Sequence, residues 1–306
     1  SQFINSKHKN LDLKIEDFFH TLEHISKISD EPHADSSIVP SFLISKEAKN
    51  QNVKVLISGA GGDEIFAGYK RHYSSFRNLF FGILNNVGFL DDKLIKIFPY
   101  KIQNYLYKLK SKKIAHLSNM SGQNFGVVFS LIQNKELKDF IINYFEKLFF
   151  RISTEIYDKD NFNKILTTDL ENYLPDNILL SFDKMTMLNS VEGRVPFLDH
   201  RIIELIYGNN IDLTQGQNFK NSKKVLRNIY QKKLPNYIFS KSKTGFNAPL
   251  DDWKKYNQKF FNEKFKINDF YGDVIDMKKL NQNIDNSNFN SFIYSLNVYD
   301  QWFKNH

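Results

Sequence analysis

One junction constrains the fold of this chain more than any other stretch. The segment VKVLIS (53–58) is followed at once by GAGG (59–62) and then by DEIFAGY (63–69). The first segment is short, β-branched and almost wholly apolar, which is typical of a strand buried on both faces of a parallel sheet. The glycines favour a tight turn, and the third segment returns to a helical pattern. Strand, glycine turn and helix start follow one another here, which makes this the most informative junction in the sequence.

The glycine turn also has the composition of a phosphate-binding site. Closely spaced glycines let backbone N–H groups approach a phosphate, and a helix start favours an anion. The turn does not match G-x-G-x-x-G, because Glu64 stands where the third glycine belongs, and it lacks the Gly-Lys-Ser/Thr of a Walker loop. Asp63 and Glu64 would repel a bare phosphate unless Mg²⁺ lies between the carboxylate and phosphate oxygens. The alternative is a purely structural turn with a capping aspartate.

The remaining sequence predicts a mostly helical chain. Helical patterns cover residues 14–28, 37–50, 170–190 (punctuated by Pro175) and 221–231, and an aromatic helix ends the chain. Residues 191–199 carry Pro196 inside an apolar run, which predicts a loop that leads into a helix from about Asp199. No repeat or linker divides the chain, so we expect one domain with a helical insertion over about 71–165.

The composition excludes several classes of protein. The chain of 306 residues contains no cysteine, which excludes a disulfide framework, a thiolate metal site and a cysteine nucleophile. The first ten residues lack the apolar stretch of a signal peptide, and no run of about 18 apolar residues occurs that could span a membrane. We therefore expect a cytoplasmic protein that does not bind a membrane.

The net charge of +8 is concentrated in one region. Residues 70–135 contain 11 Lys/Arg and two acids, so the rest of the chain is about neutral. Such a basic block is compatible with a nucleic-acid or phospholipid surface. Its lysines follow no helical stripe, however, and no RNA- or DNA-binding motif accompanies them. We expect a solvated set of helices and no nucleic-acid partner, and the role of the block stays open.

Residues 20–24 form the pattern H-x-x-E-H, which places His20 and His24 on one helix face. A zinc site of this type needs a third protein ligand from further along the chain. No glutamate occurs between Glu64 and Glu136, and both histidines flank an ordinary amphipathic stripe. We therefore expect no zinc peptidase.

Three further charged segments are weak candidates when taken singly. Glu192 and Arg194 beside Pro196 predict a fixed, partly buried loop, in which they are either a structural ion pair or a substrate contact. The helix KNSKKVLR carries four basic residues, which taken alone indicate a solvated basic face: Lys220, Lys223, Lys224 and Arg227. Lys243 lies beside a glycine in KSKTGF, which suits contact with an anion. The specific signal is the order of these segments along the chain.

Four segments in this order resemble the synthetase domain of the asparagine synthetase family. They are VKVLISGAGGDEIFAGYKRHY, LPDNILLSFDKMTMLNSVEGRVPFLDH, KKVLRNIYQKKLP and SKSKTGFNAPLDDW. DEP (30–32) fits the same family, and the resemblance extends from about residue 8 to residue 255. It implies an ATP-pyrophosphatase-like (adenine nucleotide alpha hydrolase-like) α/β domain with a parallel sheet, here truncated and mostly helical. We expect this domain over 1–255 and a helical tail over 256–306.

The resemblance implies an ATP-dependent ligase with ATP and Mg²⁺ as cofactors. In this family ATP activates the side-chain carboxylate of aspartate as an acyl-adenylate and releases pyrophosphate. Ammonia then attacks the acyl carbon to give asparagine and AMP. The ammonia comes from glutamine through a separate N-terminal glutaminase domain, and a homodimer is a further expectation.

The resemblance also assigns roles to the matching residues. Asp63 matches the carboxylate that helps to hold Mg²⁺ on pyrophosphate, and Glu64 matches the acid beside it, which either supports the site or caps the helix. Lys243 matches the lysine that neutralises charge on the phosphates during adenylation. Arg194 matches the arginine of R-V-P-F-L-D, and Asp183 matches the acid of D-R/K-x-x-M. The other matches are Ser58, Gly59, Gly61 and Gly62 in the ATP-contacting turn, and Lys223 and Arg227 in K-x-x-L-R.

The chain departs from the family at the third position of S-G-E-G-x-D-E. Many members have a glutamate there, which serves adenylate formation or ammonia attack, whereas this chain has Ala60. Either another acid such as Asp183 takes over, or the acceptor is not aspartate. Relatives that close β-lactams or peptide rings, or that amidate sugars, vary at this position and remain open alternatives.

Two family features do not occur in the chain: the pyrophosphate loop S-G-G-x-D-S and the N-terminal cysteine of the glutaminase. We therefore expect the C-terminal part of a longer amidotransferase, which would be inactive alone. The alternative from another functional class is a degenerate, non-catalytic interaction module.

Overall fold

Helices make up most of the regions that the computed structural model describes. These regions are residues 2–73, 95, 97–99, 102, 125–141, 143–144, 166–208, 222–240, 245–246, 248–249 and 273–306. The helices include α1 (Ile15–Ile28), α2 (Ile38–Asn50), α3 (Gly62–Ile65), α4 (Phe125–Leu131), α5 (Leu180–Met187), α6 (His200–Gly208), α7 (Lys224–Tyr230), α8 (Asn236–Ser240), α9 (Met277–Gln282) and α10 (Asn290–Phe303). The strands are β1 (Val55–Ile57) and β2 (Glu192–Arg194), and 3₁₀ turns lie at Gln2–Ile4, Pro196–Leu198 and Ser287–Phe289. The helices predicted over 14–28, 37–50 and 221–231 and at the end of the chain are confirmed.

The first helix forms because its apolar residues share one face. Phe18, Leu22 and Ile25 repeat at intervals of three and four residues and are buried. Glu16 and Asp17 lie in the first turn, where negative charge favours the helix dipole. α1 packs against α2 and α10, and these helices contribute to the main apolar core.

A continuous helix runs from residue 166 to residue 187, although Pro175 lies inside it. Proline removes a backbone donor and clashes with the carbonyl four residues before it. The helix accommodates this by widening to π geometry over Asp169–Leu179, and it returns to α geometry in α5. The N–H of Leu180 accordingly reaches the carbonyl of Pro175, five residues earlier. Such π segments are frequent at functional sites.

The two strands form a parallel sheet that the described helices cover on one face. Its register pairs are Val55 with Glu192, Leu56 with Gly193 and Ile57 with Arg194. On the α5 side, a Cβ on Gly193 would lie 2.3 Å from Cε1 of Phe182. On the other side Ile57 is 75% exposed and Val55 is 37% exposed. The predicted parallel strand is confirmed, but the prediction that it is buried on both faces is wrong, because the described helices leave one face open to solvent.

A second apolar cluster lies behind the glycine turn and joins α3, α6, α7 and the start of the helix 166–187. Its buried members are Ile65, Phe66, Ala67, Tyr73, Leu166 and Ile206, and Phe197, Leu198, Val225 and Leu226 are among the residues packed against it. Because these residues come from four separate stretches of sequence, burying them fixes the turn relative to the segments that follow β2.

The small parallel sheet and its helices fit the ATP-pyrophosphatase-like class that the resemblance implies. The division of the chain at residues 255 and 256 stays a prediction. Most of the predicted helical insertion over 71–165, with its basic block, lies outside the described residues. Within the described regions, no helix is long and apolar enough to cross a membrane.

Candidate functional site

The glycine turn closes tightly on the segment that follows β2. The N–H of Ser58 donates to the carbonyl of Arg194 at 2.8 Å, which extends the parallel pairing beyond β1. The Oγ of Ser58 then accepts from the N–H of Ala60 at 3.2 Å. Gly61 has a φ of +84°, and a Cβ there would lie 2.4 Å from Cδ2 of Leu198. The turn therefore requires glycine at this position, and it contacts the R-V-P-F-L-D segment directly.

Asp63 lies in the first turn of α3 and forms an ion pair. The Nζ of Lys223 lies 3.0 Å from Oδ1 of Asp63, and the two side chains are 29% and 23% exposed. Gly68 donates its N–H to the carbonyl of Asp63 at 2.7 Å. A Cβ on Gly68 would lie 1.7 Å from Oδ1 of Asp63 and 2.5 Å from Cε of Lys223. The structure thus brings the S-G-A-G-G-D-E and K-x-x-L-R motifs together.

Arg227 holds the backbone on either side of this second motif. Its Nε donates to the carbonyl of Ser222 at 2.8 Å, and its Nη1 donates to the carbonyl of Phe239 at 2.8 Å. Lys223, next to Ser222, has a φ of +56°, which is uncommon for a residue with a side chain. The described side-chain hydrogen bonds of Arg227 are therefore with the backbone at residues 222 and 239, and residue 222 directly precedes Lys223.

Glu64 lies beside Asp63 in sequence but in different surroundings. Glu64 is 1% exposed, and its Oε1 accepts from the hydroxyl of Tyr69 at 2.5 Å. Burial raises the pKa of Glu64 above its usual range, and burial, followed by the nearby Glu64 carboxyl, raises the pKa of Tyr69. This arrangement favours the supporting role of Glu64 over direct contact with a metal.

A buried polar cluster behind the turn was missed by the sequence reasoning. Asp169 is fully buried, and its Oδ2 accepts from Nε of Arg71 at 2.8 Å and lies 2.7 Å from Nε2 of His72. The Arg71 guanidinium lies 3.9 Å from the ring centre of Tyr69 and 4.4 Å from that of Tyr173. The buried polar cluster consists of Glu64, Tyr69, Arg71, His72, Asp169 and Tyr173. Asp169 belongs to no motif and lies 98 residues from Arg71, so no local sequence signal identifies it.

The hydrogen bonds of His72 define its protonation. The backbone N–H of Tyr69 donates to Nδ1 of His72 at 3.3 Å, so a neutral ring carries its proton on Nε2. That nitrogen donates to Asp169. Burial lowers the pKa of His72, which favours the neutral ring. Arg71, at 2.8 Å, then supplies the positive charge opposite Asp169.

Glu192 and Arg194 are more exposed than the sequence predicts. Nε of Arg194 donates to Oε1 of Glu192 at 2.9 Å, with the side chains 61% and 57% exposed. The prediction of a partly buried loop is wrong, because these residues form β2 and project from the open face of the sheet. The helix expected from about Asp199 does form, beginning at His200.

The helix α5 connects the DEP segment to the sheet. Nζ of Lys184 donates to Oδ1 of Asp30 at 2.8 Å and to Oε1 of Glu31 at 2.7 Å. Asp183, the acid of the same motif, is exposed. The described contacts of the D-K-x-x-M element with DEP therefore run through its lysine rather than through the residue expected to be catalytic.

The segment SKSKTGFNAPLDDW (240–253), which carries Lys243, is described in part. Residues 241–244, and with them Lys243, lie outside the described residues. Further along this segment, the N–H of Ala248 donates to Oγ of Ser36 at 3.1 Å. Ala248 therefore contacts the residues that follow DEP.

Comparison of the sequence with known proteins shows which family has these motifs. The sequence profile described as asparagine synthase matches residues 1–288. This chain belongs to the asparagine synthase family. The family resemblance drawn from the motifs is confirmed.

The curated relatives in this family are distant and considerably longer. Asparagine synthetase (glutamine-hydrolyzing) 1 of Bacillus subtilis is 27% identical over 246 residues, which are 78% of this chain and 38% of the relative. A putative asparagine synthetase (glutamine-hydrolyzing) of Mycobacterium bovis is 27% identical over 266 residues, which are 83% of this chain and 38% of the relative. A putative asparagine synthetase (glutamine-hydrolyzing) 2 of Methanocaldococcus jannaschii is 36% identical over 75 residues, 24% of this chain and 14% of the relative. The chain spans about two fifths of the length of the first two relatives.

The asparagine synthase family implies ATP and Mg²⁺, and the residues at the turn fit a metal carried on phosphate. A Cβ on Gly59 would meet no atom of the described residues within 4 Å, so among them the tip of the turn is open to a ligand. Asp63 offers one carboxylate that already lies beside a cation, the ammonium of Lys223. Mg²⁺ is commonly held by one or two carboxylates together with substrate phosphates. Among the described residues no group of three or more His, Cys, Asp or Glu could hold a metal, so the fit is to Mg²⁺ with phosphate rather than to a cage of protein ligands.

Proposed function

We propose that this chain is the ATP-binding synthetase part of an enzyme that amidates a carboxylate, with aspartate as the acceptor and asparagine as the product. The observation that carries the proposal is the convergence of three motifs at one turn. Leu198 of R-V-P-F-L-D packs against Gly61, and Lys223 of K-x-x-L-R pairs with Asp63. The names of the relatives, asparagine synthetases described as glutamine-hydrolyzing, support this product and glutamine as the source of ammonia.

The proposed reaction has two steps. A carboxylate oxygen of the acceptor attacks the α-phosphorus of ATP, the bond from that phosphorus to pyrophosphate breaks, and an acyl-adenylate forms. Ammonia then attacks the acyl carbon, AMP leaves with the electrons of the C–O bond, and the nitrogen releases one proton. Activation is needed because a carboxylate is a poor electrophile, and AMP is a much better leaving group than oxide.

The proposal gives the residues of the turn distinct tasks. The backbone of Ser58, Gly59, Gly61 and Gly62 contacts the nucleotide. Asp63 would hold Mg²⁺, which would neutralise charge on the departing pyrophosphate. Lys243 adds positive charge to the phosphates as adenylation proceeds. The carbonyl of Arg194 aligns the turn by accepting from the N–H of Ser58.

The identity of the acceptor substrate is the part of the proposal for which most alternatives are open. Ala60 has no carboxylate, and its N–H is bonded to Oγ of Ser58. We propose the exposed Asp183 on α5 as the substitute acid. If it does not serve, an acceptor other than aspartate is favoured, and the candidates are a sugar, a peptide and a β-amino acid.

A second candidate function is a non-catalytic interaction module. Two observations favour it: Ala60 replaces the acidic residue, and Asp63 is already paired with Lys223. In this alternative the turn keeps its shape because the second apolar cluster requires it, without binding a nucleotide.

Release of pyrophosphate from MgATP decides between these functions. The full gene product would be supplied with ammonium chloride and with aspartate or another carboxylate acceptor, and the products identified by mass spectrometry. We expect aspartate-dependent release that falls about 100-fold or more in Asp63→Asn and is unchanged in Asp12→Asn, a control at an exposed position. Full activity of Lys243→Ala would remove only the role of that lysine. No release with any acceptor would favour the interaction module.

A further inference from the structure

A lysine occupies the position of a cation at the turn. Nζ of Lys223 lies 3.0 Å from Oδ1 of Asp63, the carboxylate to which the proposed function assigns Mg²⁺. Gly68 closes on the pair so tightly that a Cβ there would lie 1.7 Å from the same oxygen. The carboxylate oxygen therefore has a positively charged partner in a confined site before any metal binds.

The backbone around Lys223 is built to keep the lysine in this place. Its left-handed φ of +56° is a conformation that persists in non-glycine residues where the surroundings impose it. Arg227 provides such surroundings, because its guanidinium bonds the carbonyls of Ser222 and Phe239, each at 2.8 Å. The backbone immediately before Lys223 is thus fixed by a different side chain, while the stem of Lys223 itself stays flexible.

We propose that Lys223 is the resident counter-ion of Asp63 and exchanges with Mg²⁺ when a metal–phosphate ligand binds. Without ligand, the ammonium balances the charge of Asp63. When the metal binds, Lys223 gives up the carboxylate oxygen and pairs with a phosphate oxygen of the same ligand. A lysine suits this exchange because its ammonium is a compact charge on a flexible four-carbon stem.

The proposed exchange predicts that removing the Lys223 ammonium has opposite effects on two binding affinities. Lys223 competes with a bare divalent cation for Asp63, so removing the ammonium strengthens binding of the metal alone. The same ammonium attracts phosphate, so removing it weakens binding of the metal–pyrophosphate complex. The phosphate part rests on the proposed function, whereas the competition with the bare metal does not.

The first measurement titrates Mn²⁺, as a substitute for Mg²⁺, and follows free Mn²⁺ by electron paramagnetic resonance. We expect Lys223→Met to bind Mn²⁺ roughly two- to fivefold more tightly than wild type, as for the loss of a partly exposed ion pair. The gain must disappear when Asp63→Asn is added, because the effect acts through that carboxylate. Lys232→Met, which changes an exposed lysine beyond the end of α7, serves as the matched control and should leave the affinity unchanged.

The second measurement is calorimetric titration with magnesium pyrophosphate, for which Lys223→Met should bind roughly tenfold more weakly than wild type, as for the loss of one hydrogen bond between charged groups. Lys223→Gln, which keeps a long polar stem without the charge, must reproduce both results, so that a folding defect of one variant does not decide the outcome. Unchanged Mn²⁺ affinity, or a gain that survives Asp63→Asn, overturns the proposal. If wild type binds magnesium pyrophosphate and Lys223→Met binds it equally well, the proposed pairing of Lys223 with phosphate is overturned. If the Mn²⁺ gain occurs but no form of the protein binds pyrophosphate, the counter-ion role stands and the proposed nucleotide function fails.

Discussion

Tyr69 donates its phenolic hydrogen to Oε1 of Glu64 at 2.5 Å, and this bond joins the glycine turn to the buried polar cluster. Glu64 directly follows Asp63 in α3, while the ring of Tyr69 lies against the guanidinium of Arg71. Arg71 in turn bonds Asp169 in the π segment of the long helix. The proposed metal-binding carboxylate is therefore one residue away from a network that anchors the turn in the protein interior.

Glu64→Gln should remove a pH dependence from folding. Because burial raises the pKa of Glu64, the folded state prefers its protonated form. Its contribution to the free energy of unfolding is therefore greatest below the unfolded-state pKa and is lost as the pH rises through the folded-state pKa. The glutamine keeps an acceptor for Tyr69 and does not ionise, so the variant should gain stability relative to wild type as the pH rises from below to above the ordinary pKa range of glutamate.

Urea denaturation of both proteins across that pH range checks this expectation. Glu204→Gln, which makes the same chemical change at an exposed position of α6, is the matched control. A difference between wild type and Glu64→Gln that does not vary with pH would contradict the assignment of Glu64 as a buried carboxyl with a raised pKa.

Asp169→Asn should destabilise the protein by about 3–5 kcal/mol, because it leaves the buried guanidinium of Arg71 without its opposing charge. The free energy of unfolding from urea titration measures the loss. Asp199→Asn is the control, since Asp199 also bonds an arginine, Arg201, through both carboxylate oxygens, but on the surface. We expect no measurable change there, and an equally small effect of Asp169→Asn would show that the buried polar cluster does not stabilise the fold.

The local parts of the site were predictable from sequence because they depend on neighbouring residues. The apolar run before GAGG predicts a parallel strand, and the glycines predict the turn in which Gly61 adopts a positive φ. The helix 14–28 follows from its apolar spacing in the same way. Each of these elements is determined by a window of fewer than twenty residues, whose apolar spacing and glycines can be read directly from the sequence.

The parts that were missed or wrong depend on distant residues. Asp169 is identified by its contacts with Arg71 and His72, 98 and 97 residues away in sequence, and no motif marks it. The exposure of Ile57 could not be foreseen either, because an apolar strand shows what a chain is able to bury, not what lies over it. The π segment around Pro175 arises because the long helix keeps its packing through a residue that lacks a donor.

Gly61→Ala and Gly59→Ala should have very different effects although they lie two residues apart. At Gly61 the backbone is left-handed and a Cβ would collide with Leu198, so we expect a loss of about 1–3 kcal/mol. At Gly59 a Cβ would meet no atom within 4 Å in the part of the chain that the structure describes, so stability should change little. If Gly59 lies where the nucleotide binds, its variant should lose affinity for MgATP while keeping its melting temperature. Equal destabilisation by both variants would contradict the geometry of the turn.

Ile57→Ala should cost less than about 1 kcal/mol in the free energy of unfolding, because the side chain lies on the open face of the sheet. Ile65→Ala is the matched comparison, since it deletes the same atoms from a fully buried position in the second apolar cluster and should cost about 2–5 kcal/mol. Urea denaturation of the two variants and of wild type measures both values. A cost for Ile57→Ala that approached that of Ile65→Ala would mean that this face of the sheet is covered in solution. The free-energy cost of Ile57→Ala therefore reports directly on whether a second layer packs against β1.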